Sequence, residues 1–140
     1  MLVVIAGLVI TARSIAADLQ VIRTYNSRGV VITLLGPSAE WTAGENTFVV
    51  EFDSAPRKRL IDVGAPTLIA GLPVAGDQPL RAAARLVRGD RVGRYVGTIT
   101  LPRAGEWVVT VTFNSEGSKQ SATFPVSVQA RSGQTKGAHR

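Results

Sequence analysis

The chain has 140 residues, 45% of them hydrophobic, which suits one domain with its own core and is too short for two. Sixteen Lys and Arg against ten Asp and Glu give a net charge of +6, and there is no cysteine, one histidine and one methionine. These counts exclude disulfides, thiolate metal sites, cysteine nucleophiles and any internal cluster of Met or His ligands. A Ser-His-Asp triad would need His139, which lies in a polar stretch next to the C-terminus.

The N-terminal stretch, residues 1–10, carries no charged side chain, and the small residues Ser14, Ala16 and Ala17 follow it. This pattern is typical of a secretory signal peptide, with cleavage expected after Ala16 or Ala17. The run is shorter than the roughly 20 apolar residues that span a bilayer, although a longer N-terminus would make it an uncleaved anchor. A buried first strand at 2–5 is the third interpretation. We predict a signal peptide or anchor at 1–17 and an exported, periplasmic or extracytoplasmic protein.

From residue 18 to residue 130, apolar and polar residues alternate with period two, and turn residues interrupt the pattern about every 8 to 12 residues. The first strands are predicted at 19–25 and around 30–34, separated by the turn at 26–29. A further strand places Phe48, Val50 and Phe52 on one face.

Residues 80–88 allow two interpretations. Ala82, Ala84 and Leu86 alternate as they would in a strand. The same stretch is rich in Leu, Ala and Arg, which are good helix formers, and could instead be one short helix.

The clearest pattern is a hairpin near the C-terminal end. Tyr95 to Leu101 and Trp107 to Phe113 alternate in two runs that the Pro- and Gly-containing turn at 102–105 joins. Tyr95 and Trp107 are predicted as large inward-facing core anchors. A last strand follows with Pro125 in its outward set, which predicts an edge strand or a bulge because proline has no N–H to donate.

These strands predict an all-β fold, an immunoglobulin-like antiparallel β-sandwich of about seven strands. The domain is expected to span 18–130. Residues 131–140 lack apolar periodicity and are predicted to be a disordered tail.

Three segments together resemble the YtkA-like domain and the related FixH-type proteins. They are Gly-Glu-Asn-Thr-Phe at 44–48, Gly-Arg-Tyr at 93–95 and Leu-Pro-Arg-Ala-Gly-Glu-Trp at 101–107, followed by Val109 and Val111. The resemblance covers about 30–128. It implies an extracytoplasmic immunoglobulin-like sandwich, found alone, anchored to a membrane, or fused to heavy-metal efflux components.

The chain departs from this family at the loop where copper-linked members carry Met and His. The corresponding stretch is Gly-Leu-Pro-Val-Ala-Gly at 71–76, which holds no sulfur or imidazole ligand. We therefore expect no bound copper, no other metal and no cofactor.

Two surfaces are candidate binding sites. Trp41, in a loop, is expected to line a surface groove, and Leu72, Pro73 and Val74 keep apolar bulk in the loop at 71–76. Arg57, Lys58, Arg59, Arg81 and Arg85 predict a basic patch suited to an acidic partner or an anionic group. Export argues against a nucleic-acid partner.

No spacing among the carboxylates selects a catalytic pair, so we expect no enzyme activity. The predicted function is a non-enzymatic interaction module for a membrane-associated protein, accessory to a membrane transport or respiratory assembly system. The alternatives are a binding module for a small apolar or anionic ligand and a metal-handling protein.

Overall fold

The computed structural model describes residues 19–55 and 59–131. Within these ranges there are eleven β-strands and no helix. In chain order the strands are β1 (Gln20–Ser27), β2 (Val30–Gly36), β3 (Trp41–Thr42), β4 (Gly44–Ser54), β5 (Arg59–Leu60), β6 (Thr67–Leu72), β7 (Leu80–Ala83), β8 (Arg85–Arg88), β9 (Arg94–Leu101), β10 (Gly105–Ser115) and β11 (Ser118–Gln129).

The strands form two sheets that pack face to face. The first sheet has the order β1-β2-β4-β9-β8, with β5 added to one end of β4, and the second has the order β3-β11-β10-β6-β7. All pairs are antiparallel except β3 with β11. The prediction of an all-β sandwich is confirmed. Seven of the strands have six residues or more, and the other four are the short additions β3, β5, β7 and β8.

The core lies between the inner faces, as the period-two alternation predicts. Tyr95 and Trp107 are both buried anchors, and each polar tip has a partner: Tyr95 Oη donates to Gly64 O at 2.7 Å and Trp107 Nε1 to Arg103 O at 3.0 Å. The other inward-facing positions of the predicted hairpin and last strand are also buried: Gly97, Ile99, Leu101, Val109, Val111, Phe113, Ala122, Phe124, Val126 and Val128.

Residues 80–88 are extended, so the helix interpretation is wrong. The segment first pairs with β6 as β7 and then with β9 as β8, crossing from the second sheet to the first at Ala84. The Ala84 N–H still donates to Leu68 O in the second sheet, at 2.9 Å. Every second residue of the segment, namely Ala82, Ala84 and Leu86, packs against the core. These contacts favour the extended conformation over the helix that the local propensity allows.

Pro125 lies on an edge, as predicted. β11 pairs with β10 along its length but with β3 only at Val128 and Gln129. Its other side therefore has no strand neighbour around Pro125 in the part of the chain that the structure describes. Proline is accommodated there because it removes no hydrogen bond of the sheet interior.

Two outward carboxylates of β4 differ in their surroundings. Glu51 Oε2 accepts a hydrogen bond from Arg94 Nε at 2.7 Å and forms an ion pair with Arg94 Nη2 at 2.6 Å. Partial burial raises the pKa of Asp53 above its ordinary value, and the charge of Glu51 raises it further. The folded state therefore holds the Asp53 proton to a higher pH than the unfolded chain does.

This difference predicts a pH dependence of stability. Because the folded state binds the Asp53 proton more tightly than the unfolded chain does, protonation of Asp53 stabilises the fold at low pH. That stabilisation is lost as pH rises through the folded-state pKa. Asp53→Asn, which keeps the shape without the charge, is expected to raise the midpoint of thermal unfolding slightly at pH 7. The gain should vanish below pH 3.8, the ordinary Asp pKa, where both states of the wild type are protonated. Thermal unfolding monitored by circular dichroism at several pH values checks this, and an equal gain at all pH values would contradict it.

The predicted N-terminal segment at 1–17, the tail from 132 onward and the residues Arg57 and Lys58 lie outside the described residues. Arg131 is described, and its Nε donates to Ala43 O at 2.9 Å. Over 19–55 and 59–131, no helix is long and apolar enough to cross a membrane.

Candidate functional site

Trp41 is part of the core, and its assignment to a surface groove is wrong. Its side chain is 1% exposed, and its ring meets the Phe48 ring edge-on with centroids 5.2 Å apart. β3 extends the second sheet beside Val128, which turns the indole inward. Among the described residues its Nε1 has no hydrogen-bond partner. Trp41 is thus unavailable to a partner molecule.

The loop at 71–76 is only partly accessible. Leu72, at the end of β6, is 8% exposed and packs beneath Gly105, where an added Cβ would lie 3.0 Å from Leu72 Cδ1. The prediction that Leu72 belongs to a contact surface is therefore wrong, because its side chain packs in the core. Pro73 is exposed and Val74 half-buried. Pro73 lines a shallow groove of about 310 Å³ on the outer face of the second sheet, together with Ile69, Gly71, Pro79, Arg81, Val108 and Thr110.

The predicted basic patch is not one surface. Arg59 lies in β5, next to Ser54 at the far end of β4, whereas Arg85 aligns through Thr98 with Thr47. Thr47 and Ser54 are about 23 Å apart along β4 at the usual rise per residue. Arg81 and Arg85, by contrast, line one crevice. The structure thus brings together only this pair of the described arginines in the prediction.

No metal site emerges where the structure describes the chain: within 19–55 and 59–131 there is no group of three His, Cys, Asp or Glu side chains that could hold an ion.

A feature that the sequence analysis missed is a row of aliphatic side chains across the outer face of the first sheet. Val21 of β1 aligns with Leu35 of β2, and Leu35 aligns with Val49 of β4. Val49 aligns with Val96 of β9, and Val96 with Val87 of β8. The row therefore has one aliphatic residue in each of the five strands. We call Val21, Leu35, Val49, Val96 and Val87 the outer row.

The outer row is accessible over its full length. Val21 and Val87 at its ends are exposed, Val96 is 38% exposed, and Leu35 and Val49 are half-buried between their neighbours. Four strand spacings separate its ends, or about 19 Å. Its continuity distinguishes it from the isolated aliphatic residues that soluble proteins commonly expose.

The outer face of the second sheet differs in chemistry. Hydroxyl groups face each other across β10 and β11, with Thr110 Oγ1 at 3.3 Å from Thr123 Oγ1 and Thr112 Oγ1 at 3.2 Å from Ser121 Oγ. Val108 is 39% exposed there, but its neighbour in β6 is Gly71. The apolar surface is therefore interrupted on this face and continuous on the other.

Charged residues on the outer face of the first sheet nearly balance. The described strands place two arginines and three carboxylates at outward positions, namely Arg85, Arg94, Glu45, Glu51 and Asp53. Burial lowers the pKa of Arg94, but hydrogen bonding and charge attraction to Glu51 outweigh it and the pKa is raised. This ion pair lies beside Val49 and Val96 on the same face, and its two opposite charges compensate each other.

The outer row was not predicted because alternation assigns each of its residues only to an outward position. Their alignment depends on strand order and register, which one sequence does not specify. The available signal was that several predicted strands each carry one outward aliphatic residue.

Comparisons with protein-family models, with curated proteins and with solved structures find no match to this chain.

Proposed function

We propose that this protein is a non-enzymatic, exported interaction module that docks a membrane-associated protein through the outer row and is accessory to a membrane transport or respiratory assembly system. The observation that carries the docking role is the continuous row from Val21 to Val87 across an otherwise polar face. Covering a partly exposed aliphatic row releases water and favours association.

The size of the outer row favours a transient complex. Fully burying one valine or leucine side chain contributes about 1.5–3 kcal/mol, and the row's side chains are already partly covered by one another. A strip about 19 Å long and one side chain wide covers a much smaller area than the roughly 800 Å² per partner of a standard interface. A partner that associates and dissociates suits this area better than a permanent subunit.

The charges around the row indicate how the partner is recognised. The net charge of the chain is +6, but Arg94 is already paired with Glu51, and the two outward arginines of this face lie among three outward carboxylates. We therefore expect a partner that presents a flat apolar strip, with binding that depends only weakly on salt.

The exported part of the proposal rests on the sequence. The uncharged run at 1–10, followed by small residues, supports a signal peptide or an anchor. The resemblance to the YtkA-like domain supports the accessory role beside a membrane assembly.

The docking face is tested with two matched variants. Val96 and Val108 have nearly the same exposure, 38% and 39%, on the outer faces of different sheets. Val96→Asp is expected to reduce capture of the partner from solubilised membranes at least tenfold, because a charge would be desolvated within the contact. Val108→Asp is expected to leave capture unchanged, and quantitative mass spectrometry of the captured proteins compares them.

Thermal unfolding of both variants shows that each is folded before capture is compared. Equal capture by wild type and Val96→Asp would contradict the proposal, as would loss of capture by Val108→Asp alone. A partner lost in moderate salt would contradict the apolar mode of recognition.

A further inference from the structure

The crossing of residues 80–88 between the sheets leaves an opening beside β9. The pairs of β8 with β9 end at Arg85 and Thr98, whereas β9 continues to Leu101. The Gly89 N–H donates to Arg94 O, so the Arg94 peptide group faces β8. Because alternate residues of a strand face the same neighbour, Thr98 and Thr100 also direct N–H and C=O to that side. Thr100 therefore faces the place that the chain vacates at Ala84.

This opening is a crevice of about 250 Å³. Its charged lining residues are Arg81, Arg85 and Glu45, and Thr100 lies between them on β9. Ala82 and Ala83 also line the crevice, and neither has a side chain larger than a methyl group. The volume is below that of most pockets for drug-sized ligands and suits a smaller molecule.

The charged groups of the crevice are available to a ligand. Within the described residues, neither Arg81 nor Arg85 forms an ion pair, whereas Arg88 lies 3.5 Å from Asp62 and Arg94 is bound to Glu51. The Glu45 carboxylate likewise has no hydrogen-bond partner there, and the nearby Arg131 Nη2 donates to the Glu45 backbone carbonyl instead, at 3.5 Å. Glu45 and Arg85 lie on strands that are two positions apart, about 10 Å across the sheet.

We propose that this crevice binds a small zwitterion, with the ligand's carboxylate on Arg81 and Arg85 and its ammonium group on Glu45. Guanidinium groups bind carboxylates through paired, charge-assisted hydrogen bonds. Glu45 disfavours a second anionic group and favours a cationic one several bonds away. No residue of the outer row lines the crevice, although Arg85 and Thr98 lie two residues from Val87 and Val96. Occupancy of the crevice does not depend on the docking proposal.

The test compares two probes that share a carboxylate and differ in the ammonium group, 5-aminopentanoate and pentanoate. They are titrated at constant ionic strength into the ¹⁵N-labelled full chain and followed by NMR. We expect saturable shifts at the amides of Ala82, Ala83 and Thr98–Thr100, with 5-aminopentanoate at least threefold tighter than pentanoate. Glu45→Gln should remove this preference, and Arg81→Gln with Arg85→Gln should abolish binding of both probes.

Arg91→Gln is the control for a general loss of positive charge, because Arg91 is exposed in the turn between β8 and β9 and does not line the crevice. This variant should bind both probes as the wild type does. Equal affinity for the two probes would overturn the assignment of Glu45. Absence of saturable shifts, or unchanged binding in the double arginine variant, would overturn the site.

Discussion

Replacement of Trp107 by alanine is expected to lower the free energy of unfolding by about 3–5 kcal/mol. The side chain is completely buried at the start of β10, and its Nε1 donates to Arg103 O in the preceding turn, at 3.0 Å. Truncation leaves a cavity and an unpaired carbonyl group together. Urea unfolding monitored by circular dichroism measures the difference.

Trp107→Phe is the matched control for this effect. Phenylalanine keeps most of the apolar ring and removes the N–H, so the loss should be smaller, about 1–2 kcal/mol. A loss below about 1 kcal/mol in Trp107→Ala would show that the core around β10 collapses to fill the space, contrary to the packing described above.

Gly93→Ala is expected to destabilise the fold by about 2–5 kcal/mol, combining a backbone penalty with overpacking. Gly93 has φ of +83°, and an added Cβ would lie 2.5 Å from Ile61 O and 3.1 Å from Phe52 O. These are backbone atoms, so no side-chain rotation relieves the clash. Gly93 O also accepts the Phe52 N–H at 2.9 Å, which ties this turn to β4.

Gly117→Ala separates the two contributions. Gly117 has φ of +80°, but no atom would lie within 4 Å of an added Cβ. Its substitution should therefore cost only the backbone penalty, about 1–2 kcal/mol. Equal unfolding midpoints for the two variants in urea would contradict the close approach of Ile61 to Gly93.

The inner faces of the sandwich were predictable because each long strand obeys one rule. Tyr95 to Leu101 and Trp107 to Phe113 alternate without interruption, and burial follows every second residue. The burial of Trp41 could not be predicted in this way, because β3 has only two residues and too short a pattern to show alternation. Its burial depends on pairing with Val128, which is far away in the sequence.

The two candidate surfaces depended on information that alternation lacks. Val21 and Val87 lie at opposite ends of the outer row, yet only the pairing of five strands aligns them. Arg81 and Arg85 were predicted as part of a basic patch, but the crossing at Ala84 decides that they share a crevice. Local propensity favoured helix at this crossing, so it gave no indication of the crevice.

Site-specific photocrosslinking in intact cells tests the central claim, that the outer row is the docking face, most directly. Val96→p-benzoylphenylalanine places the reactive group within the row, and Val108→p-benzoylphenylalanine places it at matched exposure on the opposite face. We expect a discrete crosslinked partner in the membrane fraction from position 96 and none from position 108. Crosslinking from position 108 alone, or from neither position, would contradict the claim.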